Sequence, residues 1–311
     1  MRLVTFALAL ILMAVPSSAG PNVITSVMPV YGIVSAVMGD VGQPKLLLQG
    51  KMSEHRASFT PAQVAALGEA DIVFIVGHGL ETKLAQMSGT EAVNGKAFVL
   101  LSEVPGVVTR PIRQGGTWEP RLHQESGADE HDHDAHEGVL AYDPHVWLDP
   151  ENAKAMATVV AMELAKIDPE HAATYQANAT TLSAQIDRTT AEIAVTLAPI
   201  KDRPFVVFHD AYQYFEARFG LTGVGSISDV SALAPSAERL QEVRDKIMAS
   251  HAACVFREPQ YDSKTVDVVI EGTGARSGVL DPIGAGLTPG PDVYPKLLSN
   301  LAEGLLDCLG G

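Results

Sequence analysis

Residues 169–199, PEHAATYQANATTLSAQIDRTTAEIAVTLAP, read as one long amphipathic helix. Tyr175, Ala179, Leu182, Ile186, Ile193 and Leu197 follow spacings of 4, 3, 4, 7 and 4, which keep a single face apolar. At 1.5 Å per residue a helix of about 29 residues spans roughly 43 Å, long enough to cross a whole domain. A shorter helix precedes it: Asp149 can cap its start, Pro150 can open it, and it runs to about Ile167. Such a helix suits a strut between two lobes, although an ordinary covering helix would carry the same pattern.

The flanking sequence supplies the two lobes. On the amino side NVITSV (22–27), PKLLLQ (44–49), DIVFIVG (71–77) and AFVLLS (97–102) are short apolar runs with amphipathic stretches after several of them. On the carboxyl side RPFVVFHD (203–210), AACVFREP (252–259) and SGVLDP (277–282) repeat the habit. Continuous apolar runs, as opposed to alternating ones, fit parallel strands covered on both faces. The expected fold is α/β, two lobes with parallel sheets joined by one long helix and a site in the cleft between them. The expected divisions are a signal peptide over 1–19, an N-terminal lobe over 20–167, the linking helix over 168–199 and a C-terminal lobe over 200–311.

The leader rests on MRLVTFALALILMAVPSSAG, in which Arg2 precedes an uncharged apolar run from Leu3 to Val15, followed by Pro16 and small residues up to Ala19. The run is shorter than the roughly 20 residues needed to cross a bilayer, so it reads as a cleaved secretory signal and the mature chain as exported and soluble. No Cys lies near the cleavage site, which argues against a lipid anchor. The two cysteines, Cys254 and Cys308, fall in the last quarter of the chain. In an oxidising compartment they are most simply one disulfide between a strand and the C-terminal helix, the alternative being two unrelated buried thiols.

Twenty-two Lys and Arg against 37 Asp and Glu give a formal charge of −15. So acidic a surface repels phosphate backbones and anionic lipid heads, which argues against nucleic-acid or membrane-surface partners, and it suits a cation. Three histidines have pointed settings. His55 follows a strand and a Gly-Lys loop, with Glu54 beside it; His145 lies in AYDPHVWLDP just before a helix; His209 closes FVVFHD. Asp281, in GVLDPIG, also closes a strand. Carboxyl ends of strands form the ligand crevice of open α/β sheets, so these groups predict an interlobe metal site. Zn²⁺ takes imidazole nitrogen and carboxylate oxygen tetrahedrally. His78, His171 and His251 read as structural or solvated. The segment 119–137 holds His123, His131, His133 and His136 among acidic residues and reads as a loop able to hold zinc weakly, or as a solvated linker.

The stretches SEHRASFTPAQVAAL, ADIVFIVGHGLE, DPHVWLDPENA, FHDAYQYFEARFGL, ACVFREPQ and GVLDPIG occur in this order along essentially the whole mature chain. Together they resemble the cluster A-I substrate-binding proteins of bacterial ABC importers for zinc and manganese, the ZnuA-type zinc-binding proteins above all. The resemblance implies a periplasmic, non-enzymatic, monomeric protein that passes Zn²⁺ to an ABC permease with its ATPase. It places His55, His145 and His209 at the family's three ligating histidines, with Asp281, Glu54 or water as the fourth ligand. It matches 119–137 to the family's acidic His-rich loop, and the Cys pair to a disulfide of its zinc members. Manganese members typically carry a glutamate at the third histidine position, so His209 favours zinc, as nitrogen ligation does physically. The alternatives are a manganese-binding member, a periplasmic zinc buffer without a transporter, or an exported zinc hydrolase using the open fourth position. The last lacks HExxH, G-x-S-x-G and an evident general base other than Glu54.

Overall fold

The computed structural model describes residues 20–50, 52–53, 55, 58–87, 90, 97–113, 116–118 and 142–311. The leader 1–19, Glu54 and the loop histidines His123, His131, His133 and His136 lie outside the described residues. Among the described residues there are two four-stranded sheets, both wholly parallel. The first consists of β1 (Val23–Thr25), β2 (Lys45–Leu46), β3 (Ile72–Ile75) and β4 (Ala97–Leu100), in the order β2-β1-β3-β4. The second consists of β5 (Phe205–His209), β6 (Gly223–Ser228), β7 (Cys254–Arg257) and β8 (Arg276–Val279), in the order β6-β5-β7-β8. The central strands β1, β3 and β5 are buried along their whole length, which is why they read as unbroken apolar runs.

Between the sheets run α4 (Pro150–Ile167) and α5 (Ala172–Leu197). Asp149 caps α4, accepting the Glu151 N–H at 3.0 Å, with Pro150 at the first helical position. Pro169–His171 forms a 3-10 turn, so the long helix starts three residues later than the periodicity predicts. His171, expected on the solvated face, is half-buried with Nδ1 2.8 Å from Asp168 Oδ2. The buried stripe of α5 is Tyr175, Ala179, Leu182, Ile186, Thr189, Ile193 and Leu197, Thr189 filling the gap of seven in the apolar pattern. It packs on α1 (Met28–Met38) and α4 from one half and on α9 (Val293–Leu309) from the other, so one continuous core runs from Val23 to Leu309. Where α1 meets α9, a Cβ on Gly32 would lie 2.9 Å from Tyr294 N, so only glycine allows this approach.

One strand is absent from the sequence reading. β6, GVGSIS, has no apolar run to announce it. Its glycines serve close approach: Ser226 donates to Gly116 O at 3.0 Å, Trp118 donates to Val224 O at 2.9 Å, and a Cβ on Gly225 would sit 2.6 Å from Gly116 O. Residues 116–118, which follow the first sheet in the chain, thus cover the open edge of the second. Cys254 and Cys308 form a disulfide between β7 and α9. No helix among the described residues is long and apolar enough to cross a membrane.

Candidate metal centre

Three elements deliver three imidazoles to one point. His209 is the last residue of β5, the central strand of its sheet, and its ring is fully buried. His145 sits just before a 3-10 turn, Val146–Leu148, that leads into α4; it too is fully buried. This segment is held from the other lobe: Trp147 Nε1 donates to Pro282 O at 2.8 Å, Tyr294 Oη to Trp147 O at 2.7 Å, and Tyr214 Oη to Asp143 O at 2.7 Å. His55 lies in the turn between β2 and α2 (Pro61–Glu69) and is part-exposed. Thr60 and Gln63 form a capping box at the start of α2, and Gln63 Nε2 ties that start to Leu47 O at 2.7 Å.

The ring centroids are 5.1 Å apart for His145 and His209, 5.4 Å for His55 and His145, and 5.7 Å for His55 and His209. One ligand atom from each ring lies within 4.8 Å of the others, and no other group of three or more His, Cys, Asp or Glu among the described residues converges in this way. The Nε2 atoms of His145 and His209 are 3.2 Å apart. Two nitrogens bound at 2.0–2.1 Å to a tetrahedral ion would be separated by roughly 3.3–3.4 Å, so the pair is already spaced for one metal. Burial, followed by the neighbouring His209, pulls the His145 pKa well below the ordinary imidazole value and keeps the ring neutral, the form that ligates.

Asp281 stands two residues beyond β8 and is not a member of the three-ring cluster. Its Oδ1 accepts Gln260 Nε2 at 2.9 Å and its Oδ2 accepts the Gly286 N–H at 3.3 Å. His78 is exposed, and His251 is exposed at the left-handed end of α7 (Ala237–Ser250).

Several charged groups around the centre are not picked out by the sequence reading. Asp143 Oδ1 lies 2.8 Å from His145 Nδ1, and Glu258 Oε1 lies 2.8 Å from His209 Nδ1. Burial pushes the Asp143 carboxyl up to about 7, against the hydrogen bond from the His145 backbone and the charge of Arg113. Behind them Arg113 bridges Asp210 and Glu216, donating to Glu216 Oε2 at 2.7 Å, and lies 3.6 Å from the Trp118 ring centre. Burial also raises Asp210, with Arg113 opposing. In the N-terminal lobe Glu81 is a buried carboxylate raised by desolvation; it accepts from Ser26 Oγ, Val76 N at 3.1 Å and Gly77 N at 2.9 Å, joining the ends of β1 and β3. Glu258 had a legible signal: it follows β7, the neighbour of β5, so the strand-end rule that selects Asp281 selects it too.

Two α/β lobes, a connecting helix and a nitrogen-rich centre between them define a two-lobed substrate-binding protein with a metal ion as its ligand class. The chain matches the model of the ZnuA family, described as the periplasmic component A of a zinc-uptake complex, over residues 23–308, and it belongs to that family. The high-affinity zinc uptake system protein ZnuA of Brucella abortus (strain 2308) is 45% identical over 308 residues, covering 93% of this chain and 91% of the relative. The protein of the same name from Paracoccus denitrificans (strain Pd 1222) is 36% identical over 309 residues, covering 96% and 94%. Of solved structures, a crystal structure of ZnuA superposes with a TM-score of 0.76 at 26% identity, covering 93% of this chain and 99% of that one. The laminin-binding protein Lbp of Streptococcus pyogenes gives 0.72 at 25% identity, covering 94% and 100%.

Proposed function

We propose that this chain captures Zn²⁺ in the periplasm and delivers it to an ABC permease with its ATPase, and that His55, His145 and His209 hold the ion. The observation that carries the reading is the convergence of three imidazoles, drawn from both halves of the molecule, within 4.8 Å of one another. Three imidazole nitrogens suit zinc better than manganese, which prefers oxygen. The fourth position goes to water or to a carboxylate, Asp281 or Glu54. Because the ligands lie on elements of both halves, the bound ion cross-links them and fixes the lobe arrangement presented to a permease. The role is binding, with no bond made or broken. The segment 1–19 serves as the export signal, and the histidines of 119–137 collect zinc weakly.

A competitive titration of the mature protein with Zn²⁺ and Mn²⁺ tests this. One tight zinc site with weak manganese binding is expected; tight manganese binding or no tight site overturns it. Deleting 123–137 is expected to leave the tight site intact and remove any weak binding beyond one zinc.

A further inference from the structure

We propose that Asp143 and Glu258 are the positioning residues of this centre: they hold His145 and His209 with the proton on Nδ1, so that both Nε2 lone pairs point at one cation. The proposal rests on the zinc reading for the identity of the ion, while its geometry is independent of it.

Each carboxylate grips its histidine twice. Asp143 Oδ1 lies 2.8 Å from His145 Nδ1 and accepts the His145 backbone N–H at 3.0 Å. Glu258 brings Oε1 to 2.8 Å and Oε2 to 2.7 Å of His209 Nδ1, and Oε1 also accepts the His209 backbone N–H at 3.4 Å. An ionised carboxylate only accepts, so the ring proton must sit on Nδ1 in both histidines. Each Nε2 is then a bare lone pair, and the two face one another across 3.2 Å. Two such lone pairs repel unless a cation lies between them. All four side chains are buried, so bulk water does not compete for the ring protons. The carboxylates come from different halves of the molecule, one ahead of α4 and one at the end of β7, as do the ligands they orient.

The first test needs no substitution. Long-range ¹H–¹⁵N correlation on the metal-free protein at pH 8 is expected to show both rings protonated on Nδ1. A proton on Nε2 of either ring overturns the proposal. The second test uses Glu258→Gln and Asp143→Asn, whose carboxamides keep the shape but can offer N–H to the ring and reverse the tautomer. Zinc affinity is expected to fall about 10–100-fold in each, the usual cost of losing a group that orients a metal ligand. The tautomer of the partnered ring and the visible spectrum of the Co²⁺-loaded protein are expected to change with it, which a purely structural role would not cause. Variants that fold but bind zinc as tightly as the parent overturn the positioning role alone. A parent chain without a tight zinc site instead sinks the functional reading, and with it this role in metal binding.

Discussion

The two halves of the molecule bring histidine to the centre in different ways. His209 ends a five-residue strand buried on both faces, flanked by β6 and β7, with Glu258 against its ring. His55 comes from a turn after a strand of only two residues, and it is part-exposed. Ser53, two residues earlier, reaches the opposite half with its Oγ 3.4 Å from Tyr261 Oη, and Tyr261 stacks on Phe208 at 4.7 Å. The difference teaches that the centre has a fixed side and an adjustable one. Buried ligands held on every side set the geometry and hence the choice of ion, whereas the part-exposed ligand is expected to set how quickly an ion enters or leaves.

The strongest way to break this comparison is to remove the fixed ligand. Structural zinc sites bind with about 10–16 kcal/mol shared over four ligands, so one ligand is worth on the order of 3 kcal/mol, about 100-fold in affinity. His209→Ala is expected to weaken zinc by at least that factor with the fold intact, as read by competition against a chelating dye and by circular dichroism. Unchanged affinity would remove His209 from the site.

The next effect is set by protons. Burial raises Asp143 to about 7, so below that pH the carboxyl holds a proton that it must lose to accept from His145 Nδ1. Zinc binding favours the ionised form, so affinity is present above pH 7 and falls as the pH drops through it. The slope is about tenfold per pH unit for each proton displaced. Titrations at pH 8, 7 and 6 read this slope, and a flat profile would contradict it. The adjustable ligand ranks third. His55→Ala is expected to cost about tenfold, since water can take the vacated position, and to act through faster release in stopped-flow. If it costs as much as His209→Ala, the distinction between the two sides collapses.

Legibility in the sequence follows the same division. Buried central strands announce themselves, because both faces demand apolar residues: DIVFIVG contains β3 and RPFVVFHD contains β5. The α4–α5 pair was readable from Asp149-Pro150 and from periodicity, except that proline and the two residues after it formed a 3-10 turn. β6 was hidden because its glycines answer to a tertiary contact, the approach of residues 116–118, which no local pattern encodes. The three histidines stood out by their positions at element ends. Their carboxylate partners did not, because acidic residues are abundant in this chain: Glu258 shares its strand-end position with other candidates, and only the fold singles out Asp143.

The smallest expected effect on the metal is also the sharpest test of where the rigidity of the fixed side originates. The disulfide joins β7 to α9 across 54 residues, and β7 lies directly beside β5. Chain entropy assigns a loop of this size about 4 kcal/mol, a model-dependent figure. Replacing both cysteines by serine is therefore expected to lower the unfolding temperature measurably in a calorimeter. His209, however, is held locally, by its two strand neighbours and by Glu258, and no sulfur takes part in the cluster. Zinc affinity in the double variant is accordingly expected to equal that of the parent at temperatures where both are folded. A loss comparable to that of His55→Ala would mean that the geometry of the fixed ligand depends on the covalent brace behind the sheet, and that the contrast between the two halves lies in cross-linking more than in secondary structure.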